Sequence, residues 1–88
     1  MRQDADHFAD RELDLIYIAK KLKEALALEQ LFTGSGLDYL VEADRYTGGT
    51  IFRSERVGAF FYVTHEDGPT ARAAMQGAGY RPYDETNP

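Results

Sequence analysis

The chain has 88 residues, no cysteine, and 15 acidic against 10 basic side chains for a net charge of −5. That length supports one domain with a modest core, and it leaves no room for a core plus a deep catalytic cleft. The missing cysteines exclude disulfides, thiolate nucleophiles, cysteine-type zinc sites and iron–sulfur ligation, and the acidic balance argues against nonspecific binding to nucleic acid or an anionic membrane.

Residues 1–11 are polar and acidic and read as a loose tail, unlike the basic start and apolar middle of a signal peptide. No apolar run approaches a bilayer-spanning length, so a soluble, cytoplasmic protein without membrane contact is expected. Leu13 to Ala19 is a short apolar run rich in β-branched and aromatic residues, which predicts a strand. From Lys20 or Lys21 to Thr33 good helix formers dominate. Leu22, Ala25, Leu26 and Phe32 recur at helical spacing, with Leu28 on the flank of that stripe. Gly34-Ser35-Gly36 supplies the stop.

Leu37 to about Tyr46 alternates Leu37, Tyr39, Val41 and Ala43 against Asp38, Leu40, Glu42 and Asp44, the pattern of a half-exposed strand. Thr47-Gly48-Gly49-Thr50 is a turn signal, and residues 51–56 extend a hairpin or form an ordered loop. Val57 to Thr64 is the strongest strand of the chain. A second helix follows, with Asp67 or Gly68 as cap and Pro69 in its first turn. Its apolar positions are Ala71, Ala74, Met75 and Ala78. Tyr80 to Tyr83 predicts a last strand, which Pro82 confines to a sheet edge.

The order βαββαβ predicts a ferredoxin-like α+β fold, a four-stranded antiparallel sheet with two helices on one face. The domain spans residues 12–83, with a polar tail at 84–88. Ala59, Phe61 and Val63, with Ile16 and Ile18, are expected to face the helices. The opposite face would then carry Leu15, Tyr17, Leu40, Phe60 and Tyr62, an apolar and aromatic patch of a kind that monomers rarely leave wet. A second copy of the chain is the favoured cover, which makes a homodimer the expected state; the alternatives are a flat ligand stacked on part of the patch, a reversal of the two faces, or the N-terminal tail folded over it.

Arg45, Arg53 and Arg56 fall within twelve residues beside a single acid, Glu55. With the accessible backbone of Gly48 and Gly49 they form a candidate site for a small carboxylate or phosphate. The competing reading pairs these arginines with nearby acids. Phe52 in the same loop is either a core anchor or an anchor for a protein partner.

His65, Glu66 and Asp67 are the one compact titratable set with catalytic character, and His65 is the candidate general base. No nucleophile accompanies it, no metal signature is present, and Asp67 is equally suited to capping a helix. No enzyme, metal or cofactor is therefore expected. The RNA-recognition motif shares this topology, and Tyr17 with Phe60 stands where its base-stacking aromatics would. Only Arg56, Ala59 and Phe60 match its third-strand pattern, and the acidic charge opposes it.

The run Asp14 to Ala19, the helix through Glu24-Ala25-Leu26 ending in Gly34-Ser35-Gly36-Leu37, and Gly58 to Val63 followed by Ala71-Arg72-Ala73-Ala74 resemble a small bacterial family described as prokaryotic signal-transducing proteins. That family is similar to the PII-type ferredoxin-like regulators. The resemblance covers about Leu13 to Tyr83. It implies a non-enzymatic regulatory module acting through self-association and through a protein partner or small anionic ligand. In PII proteins the connection between the second and third strands reaches partners; here the matching stretch, Tyr46 to Arg56, is much shorter. No PII nucleotide signature is present, so neither ATP nor 2-oxoglutarate binding is implied.

Overall fold

A computed structural model describes residues 1–48 and 54–83. Three strands and two helices follow in the order β1 (Leu13–Ala19), α1 (Leu22–Gly34), β2 (Leu40–Gly48), β3 (Ser54–Thr64) and α2 (Gly68–Gly77). The sheet is antiparallel with strand order β1-β3-β2. Both outer strands oppose β3, so they run parallel to one another, as a crossover through α1 requires. The fold is α+β.

The expected fourth strand is not formed among the described residues. Tyr80 to Tyr83 instead passes the free edge of β1 with one ladder-like bond, from the Tyr83 N–H to the Ile16 carbonyl at 2.7 Å. Pro82 has no N–H to donate, and Ile16 sits where the β1 ladder is already irregular, so regular pairing does not develop there.

α1 begins after Lys21 without a side-chain cap. The Glu24 carboxylate partly compensates by accepting from the Lys20 N–H at 3.4 Å. The helix is stopped by Gly36 at φ +74°, a conformation that side chains rarely adopt. α2 carries Pro69 in its first turn, as expected. Asp67 does not cap it with its side chain. The cap lies three residues earlier, where the buried Thr64 hydroxyl accepts from the Asp67 N–H at 3.2 Å and closes a short 3-10 turn, His65–Asp67. Asp67 already has its N–H engaged and helical dihedrals, so the turn, not its carboxylate, sets the entry to α2.

Pairing between β2 and β3 is unbroken from Leu40↔Tyr62 to Gly48↔Ser54. The hairpin reading of residues 54–56 therefore holds. Pairing between β1 and β3 is interrupted. Leu15 opposes Tyr62, but Tyr17 opposes Phe61, leaving Ile16 as the extra residue of a bulge. One inserted residue flips the alternation of everything beyond it. Tyr17 therefore joins Phe61 and Val41 on the helix-covered face, and Ile18 joins Phe60 and Glu42 on the other. Both assignments reverse the expectation from strict alternation.

The core lies between this face and the helices. Ile16, Leu28, Phe32, Tyr39, Phe61, Val63, Ala71 and Met75 are buried in it. The Tyr39 ring stacks on Phe61 at a centroid distance of 6.1 Å, and Phe32 meets Tyr39 at 5.6 Å. The Tyr39 hydroxyl donates to the Glu29 carbonyl at 3.2 Å and lies 3.1 Å from the Thr33 hydroxyl, so its polar tip is satisfied by α1. This aromatic contact sets the rotation of α1. Ala25, Leu28 and Phe32 face the sheet, whereas Leu22 and Leu26 are 77% and 51% exposed. The stripe expected from spacing is thus turned around the helix, and Leu28 moves from its flank to its centre.

The first eleven residues are not a loose tail. Arg2 bridges to Tyr39 in parallel, with bonds from the Gln3 N–H to the Tyr39 carbonyl at 2.8 Å and from the Tyr39 N–H to the Met1 carbonyl at 3.2 Å. The chain then makes a 3-10 turn, Ala5–Phe8, and enters β1 on the far side of β3. Phe8 is 3% exposed, although it lies outside the helix-side cluster.

Candidate functional site

The face of the sheet away from the helices carries two apolar rows. Leu15, Tyr62 and Leu40 form the first, and Ile18 and Phe60 the second, which ends in Glu42. Four of the five residues expected on this face share it: Leu15, Leu40, Phe60 and Tyr62. Tyr17 does not, because the Ile16 bulge carries it to the helix side, where its ring meets Tyr80 edge-on at 5.8 Å. Burial, followed by the Glu24 carboxylate, pushes the Tyr17 phenol up to about 12.

The rows are unequally open. Leu40 is only 8% exposed and, like Phe8, stands outside the helix-side cluster. The N-terminal segment crosses this end of the sheet between its bridge at Tyr39 and the start of β1, and Phe8 is its buried side chain. Leu40 is therefore already covered within one chain. Leu15, Ile18, Phe60 and Tyr62 are half-buried, and Glu42 and Asp44 beside them on β2 are exposed. Ile18 is the member of this face that sequence alternation missed, and only the bulge reveals it.

The arginine cluster is placed only in part. Gly49 and Arg53, with Phe52, lie outside the described residues. Arg45 opposes Val57, Arg56 opposes Tyr46, and Gly48 opposes Ser54. The Asp44 carboxylate accepts from the Arg45 N–H at 2.7 Å, a contact local to the strand.

His65 has a partner that lies 51 residues away in sequence. Its Nδ1 stands 3.0 and 3.2 Å from the two oxygens of the Asp14 carboxylate. Arg72 on α2 approaches the same carboxylate at 3.6 Å. The strand pairing near Leu13↔Thr64 brings Asp14 and His65 together at one end of the sheet, and a bond from the His65 N–H to the Glu12 carbonyl at 3.0 Å holds the backbone there. The hydrogen bond and charge of Asp14, followed by the charge of Glu12, raise the His65 imidazole above its ordinary range. Asp14 orients the ring as an acceptor would in a catalytic dyad. Among the described residues no serine or threonine hydroxyl bonds to the imidazole, and no His/Asp/Glu group suited to a metal ion occurs. Among those residues no helix is long and apolar enough to cross a membrane.

No known family model matches this chain, and neither a curated protein nor a solved structure is similar to it. The functional reading thus rests on geometry. The stacking pair of an RNA-recognition motif, Tyr17 with Phe60, is divided between the two faces of the sheet. Asp14 is the participant that sequence reading missed. A lone acid within an apolar strand run was the available signal, because burying such a residue demands a cationic partner.

Proposed function

We propose that this protein is a non-enzymatic binding module that self-associates through the open sheet face. One observation carries this reading: Leu15, Ile18, Phe60 and Tyr62 form a contiguous half-buried apolar band on the face opposite both helices. A second copy supplies the same band, and sheet-on-sheet packing with a two-fold axis covers both at once. A chain with no cysteine gains stability from such burial that it cannot obtain from disulfides. The resemblance of the sequence to signal-transducing proteins suits a regulatory module of this kind.

Multi-angle light scattering across a concentration series tests the reading. Wild type should run as a dimer, and Phe60→Glu should run as a folded monomer with an unchanged far-ultraviolet spectrum. A wild type that stays monomeric at every concentration, with Phe60→Glu indistinguishable from it, would overturn the proposal.

A further inference from the structure

We infer that Asp14 is a shared carboxylate, held by His65 when the imidazole is protonated and passed to Arg72 when it is not, so that the junction between β1 and the start of α2 responds to pH near neutrality. This inference does not depend on self-association, because the cluster involves none of the residues of the open apolar band.

The geometry is that of one acceptor between two donors. Asp14 lies on β1, His65 at the end of β3 and Arg72 one turn into α2, so the three side chains tie three elements at one corner. His65 takes the near position at 3.0 Å, whereas Arg72 at 3.6 Å makes a charge contact beyond hydrogen-bond length. The guanidinium therefore has distance left to close. Gly68 makes room for it: a Cβ there would stand 2.7 Å from Arg72 Nη1 and 3.2 Å from Asp14 Oδ2.

The partners differ in what they can lose. The Asp14 side chain is 20% exposed, so its charge gains from a cation at every pH where it is ionised. The His65 side chain is 70% exposed and loses its charge as pH rises through its raised folded value. Arg72 never does. The groups acting on His65 are Asp14 from β1, Glu12 from the segment before it and Arg72 from α2, with Glu66 and Asp67 next to it in its own turn. The acids favour the imidazolium and Arg72 opposes it. This acidic surround also disfavours His65 as an acceptor of phosphoryl groups, whose charge Glu12 and Asp14 would repel.

The sign follows from the direction of the shift. His65 is raised on folding, so its contribution is complete below the ordinary imidazole range and is lost as pH rises through its folded value. Double-mutant cycles on Tm, measured at about pH 5.5 and about pH 8.5 on either side of that range, test the exchange. The cycle of Asp14→Asn with His65→Gln should show coupling at the acid pH and lose it at the alkaline one. The cycle of Asp14→Asn with Arg72→Gln should show the reverse trend. Two couplings that are unchanged between the pH values would overturn the inference.

A second measurement uses only exposed variants, so it survives a poorly folding Asp14→Asn. The His65 imidazole titration, followed by NMR, should move to higher pH in Arg72→Gln, because a competitor for Asp14 has been removed. An unmoved His65 titration in Arg72→Gln would also overturn it.

Discussion

The two outer strands pair with the same central strand and read the sequence differently. β2 keeps one register along its whole length, so its alternation maps directly onto faces: Val41 to the helices, Leu40 and Glu42 away from them. β1 begins in the same way, but the Ile16 bulge reverses its faces halfway. A hydrophobic pattern assigns a face only as far as the ladder is regular. β1 hides its irregularity because Ile16, Tyr17 and Ile18 are all apolar, so either phase looks plausible.

The strongest way to break this contrast is to delete Ile16. Deletion would make the ladder regular with Leu15 and Tyr17 keeping their faces, but it would remove a fully buried side chain and force β1 to close across the place it occupied. We expect loss of the cooperative thermal transition, read by circular dichroism. Next comes Phe61→Ala, which empties the ring position shared by Tyr39 and Phe32 and should cost about 3–5 kcal/mol in denaturant unfolding.

The two sides of α1 allow an intermediate test. Leu28→Ala should cost about 2–5 kcal/mol, because Leu28 is fully buried. The same change at exposed Leu22 should stay within about 0.5 kcal/mol. Equal effects would mean that the stripe read from spacing, not the observed rotation, faces the sheet.

Tyr17 sharpens the bulge assignment by titration. Its phenol is raised to about 12 in the folded chain by burial and by Glu24. Above the ordinary tyrosine range near 10 the unfolded chain loses this proton first, so stability should fall as pH rises from about 10 towards 12. Ultraviolet difference titration should show a late tyrosine that is absent in Tyr17→Phe. A tyrosine on the open face would lack the Glu24 contribution. A small effect is also expected for Gly68→Ala. Its φ is −51°, so no strain opposes the change, and the close contact is with the far end of a flexible Arg72 side chain. Stability should change by less than about 1 kcal/mol, since better helix propensity offsets the displaced arginine.

The candidate sites were legible in unequal measure. Phe60, Tyr62 and Leu15 could be placed together because β3 is long, strongly patterned and central. Leu40 was placed on the correct face, and the N-terminal tail was only one of several alternative covers for it, since a polar segment with one phenylalanine gives no periodic signal. His65 stood out as a titratable residue at a strand end. Its partner Asp14 did not, because no local rule links positions 51 residues apart.

By itself the sequence determined the order β-α-β-β-α of the observed elements, though not the failure of a fourth strand, together with the hairpin between β2 and β3, Pro69 at the start of α2 and the apolar character of both sheet faces. These follow from local backbone chemistry and from periodicity within single elements. The tertiary structure decided which phase of β1 faces the helices, how α1 is rotated, where Phe8 goes and which charge His65 meets. Each of those depends on contacts between elements, where a bulge of one residue or a stacked ring outweighs the local pattern. The small cysteine-free chain met at the outset thus uses its own N-terminal segment to cover one end of the open sheet face and leaves the band around Phe60 half-buried.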